Sequence, residues 1–113
     1  MRIAIAQINC TVGDITGNVA KIIDAVRQAK TAGAELVITP ELAISGYPPS
    51  DLLLRETFCQ ACAAGLMELV KAVGDITLVV GHPNFEEGKL YNAASVIHQG
   101  KIIHTYHKRI LNK

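Results

Sequence analysis

The sequence lacks tryptophan, and only 4% of its 113 residues are aromatic. Proteins that hold single-stranded nucleic acid stack the bases on exposed aromatic side chains, so such a binding platform is not expected here. The formal net charge is +1 at pH 7, and acidic and basic residues are interspersed along the chain. Because no face of one charge sign is indicated, we expect neither a nucleic-acid partner nor a membrane-surface partner.

Long apolar runs and an even set of cysteines are also missing. No run approaches the ~20 residues that a membrane-spanning helix requires. The N-terminal segment "MRIAIAQINCTVGD" has no signal-peptide cleavage pattern. Three cysteines, an odd number, do not make a closed set of disulfides. These absences predict a soluble cytoplasmic protein with reduced thiols.

What is present is a regular succession of apolar segments, since half of the residues are hydrophobic. Their periodicity predicts the order β-α-β-α-β-β-β. The predicted strands are Arg2 to Ile8, Glu35 to Thr39, Ile76 to Gly81, Leu90 to His98 and Lys101 to His107. The predicted helices run from about Val19 to near Gly33, and from a cap at Ser50 to about Val73, with an interruption near Arg55 left open. Residues 84–89 ("NFEEGK") and 99–100 are predicted turns.

This order predicts one α/β domain at most, built on a mixed sheet. Strand–helix–strand units favour parallel neighbours joined by right-handed crossovers, whereas hairpins add antiparallel neighbours. Two helices are few for five strands, because an α/β sheet normally has both faces covered. The sequence therefore predicts an incomplete layered domain.

The stretch "TPELAISGYPPSDLL" places Glu41 directly after the second predicted strand. Sites in α/β folds lie at the carboxyl ends of strands, and a carboxylate partly desolvated there would have a raised pKa suited to a general base. Lys108 follows the fifth predicted strand, and an ammonium beside a carboxylate can stabilise an oxyanion. The alternative is that both are ordinary surface residues at strand ends.

The remaining titratable residues point to no second site. Cys59 and Cys62 form C-x-x-C inside a predicted helix, away from the helix N-terminus that lowers a thiol pKa, and are interpreted as core thiols. Cys10 lies in a predicted loop, and the residues around it do not form a sequence motif that marks a nucleophile. His104 and His107 are an odd number of residues apart on one strand, so they are expected on opposite faces of the sheet, and no metal site is predicted.

Four segments taken together resemble the carbon–nitrogen hydrolase (nitrilase) superfamily: "RIAIAQINCTVGDITGN", "TPELAISGYPPSDLLLR", "LYNAASVI" and "YHKRIL". The resemblance covers nearly the whole chain. It implies an α-β-β-α sandwich and a catalytic Glu-Lys-Cys triad. Glu41 of "PEL" matches the general base of that family, and Lys108 matches its lysine.

The segment "SGYPPSDLLLR" resembles more specifically the glutamine amidotransferase domain of the glutamine-dependent NAD synthetase family. That resemblance implies that Tyr47 helps to line a pocket for L-glutamine. It further implies hydrolysis of the glutamine amide and transfer of the ammonia to a synthetase domain, which amidates deamido-NAD with ATP and Mg²⁺. It implies no cofactor in this segment, and the uncovered sheet face suggests a homo-oligomer.

The chain departs from these families in three ways. The nucleophilic cysteine belongs on a later strand beyond Lys113, the synthetase domain is absent, and Asn112 stands where proline is usual. We therefore predict that this N-terminal part of a glutaminase domain, residues 1–113, releases no ammonia from glutamine by itself. Three alternatives stay open: a stand-alone amidase of the superfamily, a non-catalytic α/β binding module, and a truncated fragment with a regulatory role or none.

Overall fold

The computed structural model describes residues 1–46 and 56–111 of the chain. In this part, five strands form one sheet in the order β1-β2-β3-β4-β5. The elements are β1 (Ile3–Ile5), α1 (Ile15–Thr31), β2 (Leu36–Ile38), α2 (Glu56–Ala72), β3 (Thr77–Glu86), β4 (Lys89–His98) and β5 (Lys101–Ile110). β1, β2 and β3 are parallel, whereas β3, β4 and β5 pair antiparallel. The predicted α/β class, mixed sheet and element order are confirmed.

Several predicted strand limits are wrong. β1 is shorter than predicted, and residues 84–89 are not a loop, because β3 continues to Glu86 and β4 begins at Lys89. Glu87 and Gly88 both have positive φ angles, 52° and 77°, as required at the two central residues of a tight hairpin turn. Such a turn needs only two residues outside the ladder, so the flanking polar residues stay paired.

The other hairpin confirms the prediction. Gln99 and Gly100 have φ angles of 49° and 76° and connect β4 to β5. β5 then continues to Ile110, beyond the predicted end at His107. The extension matters for the site, because it places Lys108 inside a paired strand.

α1 begins where the side chain of Asp14 accepts a hydrogen bond of 3.1 Å from the backbone N–H of Gly17. This satisfies one of the free N–H groups at the helix start. Its apolar stripe of Val19, Ile22 and Val26 is buried, as the three- and four-residue spacing predicts. α2 is described from Glu56, so the predicted cap at Ser50 and the interruption near Arg55 lie outside the described residues.

The core lies between the two helices and one face of the sheet. Its strand residues are Val37, Leu78, Val80 and Ile97, each 0% exposed. Ile3 and Ile5 of β1 point to the opposite face and are 53% and 73% exposed. We call these the helix face and the open face of the sheet. In the described part of the chain, neither helix is long and apolar enough to cross a membrane.

Candidate active site

The topology brings Glu41 and Lys108 to one end of the sheet. β5 is antiparallel to β4, which is antiparallel to β3, so β5 runs in the direction of β2 and β3. The carboxyl ends of β2 and β5 therefore lie at the same end of the sheet. Glu41 lies three residues past the end of β2, and its Oε2 is 3.5 Å from the Nζ of Lys108. The two residues that the sequence singled out thus meet as an ion pair.

Lys108 lies at a β-bulge. Asn92 of β4 pairs with Arg109, whereas the next residue, Ala93, pairs with His107, so Lys108 is an extra residue of β5. A bulge bends its strand locally and changes the direction of side chains. Here the side chain of Lys108 is directed to the open face, beside Tyr106 and Glu41.

The segment that carries Glu41 is pressed against β3. A Cβ atom at Gly81 would lie 2.6 Å from the N of Leu42 and from the carbonyl oxygen of Pro40. Only glycine fits this approach. Leu42 itself is buried, with 2% exposure, and has a positive φ of 50°. Strained backbone of this kind persists only where the surroundings impose it, and it concentrates at functional sites.

Hydrogen bonds hold the same segment from both sides. The backbone N of Ile44 donates to the carbonyl oxygen of Gly81 at 3.2 Å, and the N of Gly81 donates to the hydroxyl of Thr39 at 3.1 Å. Asn18 is fully buried in α1, and its amide donates to the carbonyl oxygens of Thr11 and Ile44 at 2.8 and 3.0 Å. Asn18 thus connects α1 to both loops.

Glu41 and Lys108 line a recess of about 280 Å³ on the open face. The strand residues around it include Val79, Gly81, Ala94 and Tyr106. The side chain of Glu41 is 37% exposed and that of Lys108 is 47% exposed. Exposed ion pairs contribute only about 0–1 kcal/mol to stability. The small gain in stability therefore does not explain why the pair is present. Because both side chains are partly exposed, a small ligand can reach them.

The arrangement suits proton transfer beside a developing negative charge. A carboxylate can accept a proton from an attacking group, and an ammonium within hydrogen-bonding reach can stabilise an oxyanion. The catalytic roles of Glu41 and Lys108 stay predictions. Tyr47, predicted to line the substrate pocket, lies outside the described residues. Residues 1–46 and 56–111 contain no group of three potential metal ligands.

The three thiols lie elsewhere. Among the described residues that line the recess there is no cysteine. Burial raises the pKa of Cys62 to about 12, and the neighbouring thiol of Cys59 adds to the rise. Burial also raises the pKa of Cys10 and of Cys59. Raised values keep the thiols protonated at neutral pH, which fits the interpretation of Cys59 and Cys62 as core thiols.

A buried polar network on the helix face escaped sequence reasoning. The Nε2 of His82 lies 2.7 Å from the hydroxyl of Ser95, which lies 2.9 Å from the hydroxyl of Thr105. Burial lowers the pKa of His82, so its ring stays neutral at neutral pH. No local pattern marks these residues, because they are neighbours only through strand register. The network lies across the sheet from the recess.

Two further residues near the recess were also missed. Tyr106 is 63% exposed and forms part of its wall. Asn92 is fully buried beside the bulge, and its amide has no hydrogen-bond partner among the described residues. A buried amide without a partner costs free energy. The signal for Tyr106 was its position two residues before Lys108, on the same strand.

Comparison with known proteins gives matches along nearly the whole chain. The family model described as carbon–nitrogen hydrolase matches residues 2–113. A glutamine-dependent NAD(+) synthetase of Xanthomonas campestris is 46% identical over 112 residues, which are 98% of this chain and 20% of that protein. The chain thus spans about a fifth of the length of this curated relative.

Solved structures agree with the sequence matches. A glutamine-dependent NAD+ synthetase from Acinetobacter baumannii superposes with a TM-score of 0.88 at 37% identity, over 95% of this chain and 20% of that one. An amidase from Nesterenkonia superposes with a TM-score of 0.81 at 30% identity, over 96% of this chain and 42% of that one. The fold of the described residues is therefore shared by synthetases and amidases.

Proposed function

The chain belongs to the carbon–nitrogen hydrolase family, and from this membership we propose that it forms the N-terminal part of an amide-hydrolysing domain. In this proposal Glu41 is the general base and Lys108 stabilises the oxyanion. The observation that carries it is the 3.5 Å contact between the two side chains at the recess. The alternative, in which both are ordinary surface residues of a binding module, does not predict this convergence.

The mechanism needs a thiol that this chain does not provide at the recess. A cysteine from elsewhere in the whole protein attacks the amide carbonyl, and Glu41 accepts the thiol proton. The carbonyl oxygen becomes negative and is stabilised by the ammonium of Lys108. Glu41 then gives the proton to the amide nitrogen, so that ammonia leaves and a thioester remains. Finally Glu41 takes a proton from water, whose oxygen attacks the thioester carbon. The C–S bond breaks, the acid is released, and Glu41 returns the proton to the sulfur.

The proposed substrate is L-glutamine, with Tyr47 lining its pocket. Support comes from the relatives that match the chain, which are named glutamine-dependent NAD(+) synthetases. The ammonia would be used by a synthetase domain outside these residues, to amidate deamido-NAD with ATP and Mg²⁺ in the cytoplasm. No residue of this chain is proposed to hold ATP or Mg²⁺.

A chimera tests the proposal. The chain would replace the matching N-terminal fifth of the Xanthomonas campestris synthetase, and NAD formation would be measured with glutamine or with ammonium chloride. Glu41→Gln and Lys108→Met should each lower the glutamine-dependent rate by about 10²-fold or more, because each removes a group that acts in the transition state. The ammonium-dependent rate should stay, since added ammonia bypasses hydrolysis.

Matched controls on the same sheet are Glu86→Gln and Lys101→Met, which change exposed strand residues outside the recess. Both should leave both rates unchanged. Equal loss with glutamine and with ammonium in the Glu41→Gln chimera would contradict the assigned role. Ammonia release from small amides but not from glutamine would favour an amidase, a reading supported by the Nesterenkonia match. The isolated chain should release no ammonia from glutamine.

A further inference from the structure

His107, the residue before the bulge, is fixed on the helix face by two neighbouring strands. Its Nε2 lies 3.0 Å from the Nδ2 of Asn84 on β3. Since an amide nitrogen only donates, the ring nitrogen is the acceptor in this contact. The ring also stacks on Tyr91 of β4, with 4.0 Å between ring centroids and 9° between planes. Three strands are thus joined through one imidazole.

The other neighbours of Lys108 on β5 are attached less firmly. The ring of Tyr106 contacts His104 edge to face, with 4.6 Å between centroids, but this contact stays within β5, and Tyr106 is 63% exposed. Ile110 is 39% exposed. Arg109 is exposed as well, although its backbone pairs with Asn92. Among the described residues of this strand end, His107 is therefore the side chain with both a hydrogen bond and a ring stack.

A bulge makes this attachment important for Lys108. In a regular ladder, backbone hydrogen bonds to the neighbouring strand help to determine where each side chain points. The extra residue of a bulge is left out of that pairing. The direction of Lys108 then depends on how firmly its flanking residues are held. His107 is held from the helix face, and Lys108 points to the open face, where it meets Glu41 at 3.5 Å.

We propose that His107, clamped between Asn84 and Tyr91, is a positioning residue that aims the ammonium of Lys108 at Glu41 from the opposite face of the sheet. The contact between Lys108 and Glu41 is a property of the fold. Its importance for catalysis rests on the proposed function. Residues on the helix face thus affect the shape of the recess on the open face, although a ligand in the recess does not touch them.

Carbodiimide coupling measures this contact directly in the 113-residue chain. The reagent activates a carboxylate, a neighbouring amine attacks the activated carbon, and an amide forms with net loss of one water. The linked peptides are quantified by mass spectrometry. The chain carries an internal reference, because Lys30 and Asp75 form a second exposed ion pair at 2.7 Å, outside the recess. The measured quantity is the ratio of the Glu41–Lys108 product to the Lys30–Asp75 product.

In the His107→Leu variant the ratio should fall by about fivefold or more, because a displacement of about 1 Å strongly slows a reaction between positioned groups. Asn84→Ala, which removes only the hydrogen bond, should lower it less. His107→Phe keeps a ring for the stack and should lie between the wild type and His107→Leu. The matched control is His98→Ala, which removes a histidine hydrogen-bonded at 2.8 Å to Thr77 at the other end of the sheet. It should leave the ratio unchanged.

An unchanged ratio in both His107→Leu and Asn84→Ala would overturn the proposal, as would an equal fall in His98→Ala. If His107→Leu fails to fold in a thermal melt, Asn84→Ala and His107→Phe decide the outcome. The coupling needs no substrate and no nucleophilic cysteine. It can therefore succeed even if the chimera shows that the proposed function is wrong, and the two failures are distinguishable.

Discussion

At the scale of single residues, Cys62 shows how burial changes chemistry. Its side chain is 1% exposed, and its pKa is raised to about 12 from an ordinary value of 9.0. Between these two pH values the thiol keeps its proton in the folded state and has lost it in the unfolded state. The contribution of the protonated thiol to the free energy of unfolding is therefore complete below pH 9 and is lost as the pH rises towards 12.

Alkylation with iodoacetamide at pH 8 checks this prediction. Cys62 should react far more slowly than Cys10 and Cys59, which are only half-buried, because the thiolate is the reactive form. In 6 M urea or an equivalent denaturant, the three thiols should react at similar rates. Fast modification of Cys62 in the folded protein would contradict its place in the core.

Residue by residue, the sequence was informative where chemistry is local. Glu41 and Lys108 could be singled out because each follows a predicted strand within a family-like motif, and the structure brings the two side chains together. The clamp of Asn84, Tyr91 and His107 could not, since it depends on the register of three strands. Hydrophobic periodicity assigns each residue to a face of the sheet, but a register shifted by two residues gives the same faces, so periodicity does not determine which side chains lie opposite one another.

At the scale of elements, the close packing of β3 against the Glu41 segment makes Gly81 critical. Gly81→Ala would place a methyl group 2.6 Å from backbone atoms of Pro40 and Leu42, so the segment must move. We expect a loss of about 1–3 kcal/mol in the free energy of unfolding. The coupling product between Glu41 and Lys108 should fall as well. Urea unfolding and the carbodiimide assay measure the two effects.

Gly74→Ala is the matched control for this prediction. At Gly74 a methyl group would lie 3.8 Å from the flexible end of Lys30 and would meet no backbone. Its free energy of unfolding should be unchanged or raised by up to about 1 kcal/mol, because alanine restricts the unfolded chain. If both variants behaved alike, close packing at Gly81 would not control the Glu41 segment.

Element types and their order were predictable, whereas several strand ends were not. β3 continues to Glu86 and β4 begins at Lys89, although residues 84–89 are mostly polar and look like a loop in sequence. Pairing across a two-residue turn overrides that local preference, as tertiary context often does for β-strands. The bulge at Lys108 could not be predicted, because the predicted strand ends at His107 and the bulge is defined by the pairing of β5 with β4.

At the scale of the whole molecule, the open face leaves apolar side chains exposed. Ile3, Ile5 and Tyr106 are each more than half exposed there. Apolar side chains exposed on one face promote association in water. We expect the isolated chain to self-associate as its concentration rises, measured by sedimentation equilibrium. Ile5→Lys should weaken the association, because it places a charge in the contact.

Met67→Lys serves as the control, since Met67 is 48% exposed on α2 and not on the sheet. It should not change the association. A wild-type chain that stays monomeric at every concentration, or an equal effect of both substitutions, would show that the open face is not the contact surface.

The sheet order, which follows the chain order, also bears on how the protein folds. β3, β4 and β5 are joined by two-residue turns, so they can pair quickly. β2 pairs with β3 only after the long connection that contains α2 has brought the two strands together, which costs more loop-closure entropy. Glu41 arrives with β2, and Lys108 arrives with β5. Their encounter is therefore a late event, and an intermediate in which only β3, β4 and β5 are paired has not yet formed the contact between Glu41 and Lys108.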